Sequence, residues 1–262
     1  MADKLINAAL SDICLIATDM DGTLTQSGKF TPALLQALTD LTAAKIQVIV
    51  TTGRSAGWVS GLAAYLPVAG VIAENGGLYY HNGEQLLTSL SSITDLTSHR
   101  QQLEEIFQKL KHKFPYIQES ADNRFRLTDW TFDVQPLQVK QLQQLEQLCA
   151  QLGWGFTYSN VQCHIKPLSQ DKGAGLLQVM RQYFPQFTLE QVVTVGDSPN
   201  DESLFNPSYF KHSVGVANVR DYANQMQHQP TYITSAAEGE GFCELAAYLL
   251  KNKLKSANQI ER

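Results

Sequence analysis

An α/β protein built on a mainly parallel sheet, interrupted by an α+β module, is the fold class that this sequence predicts. Three observations carry that expectation. Short apolar runs of strand length alternate with amphipathic stretches of helix length, which is the pattern of βαβ units. The alternation breaks off near residue 83 and resumes after residue 167. Polar clusters fall where four of the predicted elements meet, mostly at strand ends, and in open parallel sheets ligands bind at the carboxyl ends of strands.

The first apolar run, Ile13 to Thr18, ends in Asp19-Met20-Asp21-Gly22-Thr23-Leu24. Thr31 and Pro32 then read as an N-cap and first helical residue, opening a helix to about Ala44 with Leu34, Leu38 and Leu41 on one face. A second strand, Ile46 to Val50, runs into Thr51-Thr52-Gly53-Arg54, and a helix follows from about Ser55 to Leu66. The strand Gly70 to Ala73 leads to the loop Glu74-Asn75-Gly76-Gly77, and His81-Asn82-Gly83 carries a hairpin turn signal. The interrupting segment is rich in Gln, which suits helix surfaces. It contains two helical patterns, about Thr97 to Lys113 and Pro136 to Leu152. Its candidate strands are Arg124 to Leu127, Thr131 to Val134, Trp154 to Tyr158 and Val161 to Lys166, with a turn at Ser159-Asn160. The βα alternation returns with a helix from Asp171 to Tyr183, a strand from Val192 to Val195 and the loop Gly196-Asp197-Ser198-Pro199-Asn200-Asp201. Short βα pieces lead to a last helix near Gly241 to Lys251, and the final residues read as a solvated tail.

A chain of 262 residues is long enough to bury a substantial core, which argues against disorder. Its formal net charge of -5, without a Lys/Arg run, argues against a nucleic-acid backbone or an anionic membrane as partner, because both need clustered positive charge. The four cysteines, Cys14, Cys149, Cys163 and Cys243, form no C-x-x-C pair, so neither a zinc site nor a disulfide framework is expected. Reduced thiols fit a cytoplasmic protein. The stretch Leu5 to Leu10 is too short and too polar in its flanks for a signal segment or a membrane span.

The polar clusters are Asp19 with Asp21, Thr51 with Thr52, Lys172, and Asp197 with Asp201. Each alone has a plain structural explanation as a turn, a cap or a solvated charge. Gathered at one point, two or three carboxylates repel unless a divalent cation sits among them, and oxygen-only ligands suit Mg²⁺. A Thr hydroxyl and a Lys ammonium beside such a metal form an anion cradle of the kind phosphoryl transfer needs.

In order along the chain, Asp19-Met20-Asp21-Gly22-Thr23-Leu24, Thr52-Gly53-Arg54, Lys172 and Gly196-Asp197-Ser198-Pro199-Asn200-Asp201 resemble motifs one to four of the haloacid dehalogenase superfamily. The spacing resembles its subfamily IIB, the Cof-type and sucrose-phosphatase-like branch, in which a C2B cap is inserted between motifs two and three. The resemblance implies a Rossmann-like core from residues 1–83 and 168–262 and a cap from 84–167 that carries specificity. It further implies a cytoplasmic, Mg²⁺-dependent phosphatase of a small phosphorylated sugar or sugar derivative, either sucrose-phosphatase-like or mannosyl-3-phosphoglycerate-phosphatase-like, as a monomer or weak homodimer. By the same resemblance Asp19 is the nucleophile and Asp21 the general acid and then base. Thr52, in preference to Thr51, and Lys172 hold the phosphoryl oxygens. Mg²⁺ is held by Asp19, the Asp21 backbone carbonyl and Asp197, with Asp201 a direct or water-mediated ligand and Asn200 orienting the shell.

Gly22 and Gly53 permit close backbone geometry or simply make turns. Arg54 is either an anion contact or a structural partner of a strand-end carbonyl. Asn75 either faces the cleft or makes an Asx-turn. In the cap, strand alternation puts Val161, Cys163 and Ile165 on one face and Gln162, His164 and Lys166 on the other. It likewise opposes Phe125 and Leu127 to Arg124 and Arg126. If the apolar faces pack on the cap helices, then Arg124, Arg126, His164 and Lys166 line a substrate pocket; otherwise they form an ordinary solvated face. Two other functions share the motif chemistry, a phosphosugar mutase and a receiver-type phospho-acceptor domain. Receiver domains are about half this length and lack the inserted module.

Overall fold

The computed structural model describes residues 3–5, 10–82 and 87–260. Its strands are β1 (Asp3–Lys4), β2 (Leu15–Thr18), β3 (Gln47–Thr51), β4 (Gly70–Ala73), β5 (Leu78–His81), β6 (Leu87–Ser89), β7 (Trp130–Asp133), β8 (Gly155–Tyr158), β9 (Gln162–Lys166), β10 (Val192–Gly196), β11 (His212–Gly215) and β12 (Tyr232–Ile233). Its helices are α1 (Pro32–Ala43), α2 (Ala56–Tyr65), α3 (Leu96–Lys113), α4 (Val139–Gln151), α5 (Lys172–Tyr183) and α6 (Glu238–Ile260).

The larger sheet has the order β1-β12-β11-β10-β2-β3-β4-β5-β6, parallel as far as β4 and antiparallel over β5 and β6. Its central strands are apolar on both faces because helices cover both. Along β2, Ile16 joins the cluster formed with Leu34, Leu38 and Leu41 of α1 and Phe242 and Leu245 of α6. Leu15 and Ala17 join the opposite one, with Leu176, Val179 and Met180 of α5. A continuous apolar run in the sequence is what such two-sided burial requires. The first helix starts as expected: Thr31 Oγ1 accepts from Leu34 N at 3.2 Å, and Pro32 occupies the first turn.

The second sheet is antiparallel, in the order β7-β9-β8. One face carries Trp130, Phe132, Cys163 and Ile165 against Leu103, Phe107 and Leu110 of α3 and Leu142, Leu145 and Cys149 of α4. The other face turns toward the larger sheet.

Several elements differ from expectation. Arg124 to Leu127 is not a strand; residues Asn123–Phe125 form a 3₁₀ turn. Asn123 does what a neighbouring strand would do, its Nδ2 donating to Thr131 O at 2.7 Å and its Oδ1 accepting from Thr131 N at 2.8 Å. The alternation expected there fails with the strand: Arg126 is buried and Phe125 exposed. α4 starts at Val139 rather than Pro136, because Leu137 N closes a turn onto Val134 O at 2.8 Å and Gln138 is the cap. α6 continues to Ile260 in place of a tail; no Gly or Pro interrupts residues 242–260. β6, within the segment 84–167, pairs with β5 and so belongs to the larger sheet. The turn signal His81-Asn82-Gly83 ends outside the described residues.

Candidate active site

The site lies at the carboxyl ends of β2, β3, β4 and β10, beneath the polar face of the smaller sheet. Asp19 leaves β2, Lys172 opens α5, and Asp197 and Asp201 follow β10. The Lys172 Nζ donates to Asp19 Oδ1 at 2.5 Å and to Asp201 Oδ1 at 2.6 Å, with all three side chains nearly or wholly excluded from solvent. Asp201 Oδ2 accepts from the backbone N–H groups of Asp197 (2.9 Å) and Ser198 (3.1 Å), which fixes the loop after β10. Carboxylate oxygens of Asp19, Asp197 and Asp201 lie within 4.8 Å of one another. This crowding shows in the acidities. Burial and the Asp201 charge raise the Asp19 carboxyl to about 7 although Lys172 opposes them. Burial, with the Asp19 and Asp201 charges, pushes Asp197 well above the usual carboxylate range.

Such a cluster fits a hard divalent cation. Its donors are all oxygens, and Asp19 Oδ2 is buried without a hydrogen-bond partner. Two residues assigned no role above steady Asp197: Thr23 Oγ1 donates to Oδ1 at 3.2 Å, and Asn218 Nδ2 donates to Oδ2 at 2.8 Å and to Gly22 O at 3.0 Å. Asn218 follows the end of β11, so the strand-end rule that found Asp19 also points to it. Gly22 has φ +86°, and a Cβ there would stand 2.6 Å from Asp197 Oδ2, so glycine is required on both counts.

The Asp21 side chain is not part of the carboxylate cluster. Both its oxygens accept from Arg54, Oδ2 from Nε at 2.8 Å and Oδ1 from Nη2 at 2.7 Å. Arg54 therefore pairs with Asp21 rather than with a strand-end carbonyl, and its guanidinium lies 5.0 Å from the Trp58 ring centroid. Thr52 Oγ1 accepts from Arg54 N at 3.1 Å, whereas the buried Thr51 Oγ1 has no partner. Asn75 makes no Asx-turn; its Oδ1 accepts from Asn200 Nδ2 at 3.2 Å. Asn200 Oδ1 in turn accepts from Ser198 Oγ at 2.7 Å.

The cap residues separate into different environments. Arg124 is exposed, with its guanidinium 4.7 Å from the Phe125 ring centroid, and lines no part of the cleft. Arg126 is 2 % exposed and spends its donors on Gly53 O, Asp129, Asp122 and Gln162 Oε1. Lys166 Nζ donates to Gln170 O and lines a neighbouring cavity of about 260 Å³. Of the four cap residues singled out in the sequence, His164 is the one that meets Asp19, Asp21 and Arg54 on the wall of the central cavity. Ser159, Val161 and Gln162 share that wall, so Val161 lies there and not on the apolar face with Cys163. The cavity measures about 10 Å³, room for about one water molecule. A ligand larger than water does not fit this cavity in the present conformation.

Glu74 links the two parts. Its Oε1 accepts from Ala56 N at 2.9 Å, replacing the side-chain cap that Ser55 does not supply to α2. Its Oε2 accepts from Thr128 N at 2.6 Å and Thr128 Oγ1 at 2.8 Å. Burial raises the Glu74 carboxyl to about 7, with the Asp129 charge adding to the rise and Arg126 opposing it. The folded chain thus holds this proton more tightly than the unfolded chain, whose value is 4.5. Its contribution to stability is complete below 4.5 and is lost as pH rises through about 7. Chemical-denaturation series from pH 4.5 to 8 are expected to show wild type losing ground against Glu74→Gln over that interval, by up to roughly 3 kcal/mol. A constant difference between the two proteins would rule this out.

Residues 13–249 match the family model described as sucrose-6F-phosphate phosphohydrolase. A protein named phosphoglycolate phosphatase from Methanothrix thermoacetophila is 27% identical over 239 residues, covering 89% of this chain and 96% of the relative. One of the same name from Halobacterium salinarum is 29% identical over 229 residues, covering 87% of this chain and 93% of the relative. Among solved structures, Thermoplasma acidophilum 0175 aligns with TM-score 0.72 at 18% identity, covering 90% of this chain and 98% of that one. The sucrose-phosphatase of Synechocystis sp. PCC6803, solved with sucrose and phosphate, aligns with TM-score 0.68 at 17% identity, covering 91% and 98%. At these identities the structural likenesses speak to the fold. Among the described residues no helix is long and apolar enough to cross a membrane.

Proposed function

The chain belongs to the sucrose-6F-phosphate phosphohydrolase family, phosphatases of subfamily IIB of the haloacid dehalogenase superfamily, and on that premise we propose that it hydrolyses a small phosphorylated sugar or sugar derivative with Mg²⁺. The observation that carries this is the buried Asp19–Lys172–Asp201 cluster with Asp197 beside it and Asp19 Oδ2 left unbonded. One carboxylate oxygen of Asp19 attacks phosphorus while the other remains on the metal side, the P–O bond to the leaving group breaks, and an aspartyl phosphate forms on Asp19. Asp21 gives a proton to the leaving oxygen and then takes one from the water that hydrolyses the acyl phosphate, releasing inorganic phosphate. For its first task Asp21 must be freed from Arg54 and protonated, so Arg54 is the cation that turns to the incoming phosphate. Lys172 and the Thr52 hydroxyl hold phosphoryl oxygens and Lys172 keeps Asp19 ionised. Asp19, the Asp21 backbone carbonyl and Asp197 would hold Mg²⁺, which would supply positive charge against that developing on the transferred group.

The choice of a sugar over an acidic leaving group, such as the names of the curated relatives suggest, is supported by the cap wall. Ser159, Val161, Gln162 and His164 face the cavity, whereas the Arg126 guanidinium is spent on Asp129, Asp122, Gln162 and Gly53, and Lys166 lies on the neighbouring cavity. No Lys or Arg of the cap lines this cavity, so a carboxylate in it would meet no cap cation on its wall. The mutase and receiver alternatives have no observation in their favour.

The experiment is a phosphatase assay in Mg²⁺ with glucose 6-phosphate, sucrose 6-phosphate, trehalose 6-phosphate, phenyl phosphate and phosphoglycolate. The expected result is that kcat/KM for the best sugar phosphate exceeds that for phosphoglycolate by about 10-fold or more. The reverse order would remove the sugar assignment and leave the phosphatase chemistry in place.

A further inference from the structure

Behind the cavity wall lies a buried relay that the catalytic chemistry does not use. His164 Nδ1 is 2.8 Å from Asp129 Oδ2, with both side chains at most 2% exposed. Asp129 Oδ1 and Oδ2 also accept from Arg126 Nη1, at 2.9 and 3.1 Å. The same Nη1 donates at 2.8 Å to the carbonyl of Gly53, in the loop that carries Thr52 and Arg54. The cap relay is therefore anchored to the catalytic loop. His164 sits directly over Gly53: a Cβ on that glycine would stand 2.9 Å from the ring Cε1 and 3.0 Å from Nε2. Nothing larger than glycine leaves the ring in place.

We propose that His164 presents an unprotonated Nε2 to the cavity, where it accepts a hydrogen bond from a hydroxyl of the leaving group, and that Asp129 and Arg126 are the positioning residues that set this polarity. The proposal rests on the sugar-phosphatase reading above and deepens it. Its chemistry follows from the partners. Asp129 is an ionised carboxylate, which has no proton to give, so His164 Nδ1 carries the hydrogen between them. In a neutral imidazole the other nitrogen is then a lone pair. Burial works against the charged ring, as do Arg126 and Lys172, while Asp129 opposes them; the net result lies below the ordinary histidine value. Arg126 also matches the Asp129 charge, which lessens the pull toward imidazolium. Asp19, Asp21 and Arg54 share the cavity with the ring. An acceptor here suits neither a phosphoryl oxygen nor a carboxylate, both of which are acceptors themselves. It suits a hydroxyl, and so selects polyol and sugar esters against acidic ones.

Two measurements test this. In wild type, ¹⁵N imidazole shifts at neutral pH are expected to show His164 with Nδ1 protonated and Nε2 unprotonated; the opposite tautomer, or imidazolium, overturns the proposal whatever the substrate. In His164→Phe, the ratio of kcat/KM for the best sugar phosphate of the panel to that for phenyl phosphate is expected to fall by roughly 10-fold or more. Asp129→Asn, which turns the hydrogen-bond polarity around and leaves Nε2 as a donor, is expected to raise the ratio of phosphoglycolate to sugar phosphate turnover. Ratios that stay at the wild-type value in folded variants, with wild type active on a sugar phosphate, overturn the inference and leave the function standing. A wild type that hydrolyses no sugar phosphate overturns the function itself.

Discussion

Asp19→Asn is expected to lower phosphatase turnover by about 10⁴-fold or more, because the oxygen that would attack phosphorus is removed rather than misplaced. Asp19 Oδ2 is buried and unbonded, and a carboxamide in its place offers no nucleophile and turns a donor group toward either Lys172 or the metal. The fold should tolerate the change. Burial already raises Asp19 to about 7, so in the absence of metal the ionised carboxylate strains the site, and Asp201 still pairs with Lys172. The unfolding midpoint in chelator is therefore expected to stay at or above that of wild type. Added Mg²⁺ should stabilise the variant less than wild type, since one ligand charge is gone. Steady-state assays and thermal melts with Mg²⁺ and with excess chelator check both halves. Turnover retained in Asp19→Asn, or full wild-type turnover in chelator, would sink the mechanism.

The residues of this site differ in how far the sequence could reveal them. Asp19, Lys172, Asp197 and Asp201 were legible because each stands at the end of an apolar run or the start of a helical one. The topology of a parallel sheet then brings such ends together. The same local logic located α1 through Thr31 and Pro32, and the strands through runs that are apolar on both faces. Asp129 has no such mark, and for Glu74 and Asn218 a position after a strand does not say what the side chain meets. Their roles come from partners far along the chain, as when Glu74 meets Thr128 at a separation of 54 residues. Arg126 shows the converse failure. Its side-chain type predicts an anion site, but its donors are consumed by Gly53, Asp122, Asp129 and Gln162. The strand expected over Arg124 to Leu127 misled for a related reason: the Asn123 side chain takes the hydrogen bonds of β7 that a further strand would have needed.

Lys172→Met is expected to damage both stability and catalysis, and the two losses should respond differently to Mg²⁺. The Lys172 ammonium is wholly buried between Asp19 and Asp201. Burial alone would lower its pKa, yet the two carboxylates outweigh that and hold the proton more firmly than in water. A methionine fills nearly the same volume but leaves the carboxylates of Asp19, Asp197 and Asp201 facing one another without a cation. Removing one partner of a buried ion pair costs about 3–5 kcal/mol, because the remaining charge is uncompensated. In chelator the folded variant should relieve this by binding protons on the cluster. Its carboxyl groups then titrate above their unfolded values, so its stability is greatest at low pH and is lost as pH rises through the raised values. The deficit against wild type is accordingly expected to be larger at pH 8 than at pH 5.5. Mg²⁺ supplies charge to the same oxygens and should recover much of the stability. It cannot recover turnover, because the ammonium that holds a phosphoryl oxygen is absent, and a loss of about 10³-fold or more should persist in saturating metal. Denaturant melts at the two pH values with and without Mg²⁺, beside assays in the same buffers, separate the effects. Equal stability of the two proteins in chelator at pH 8, or turnover within 10-fold of wild type in Mg²⁺, would show that Lys172 neither balances the carboxylates nor holds the phosphate.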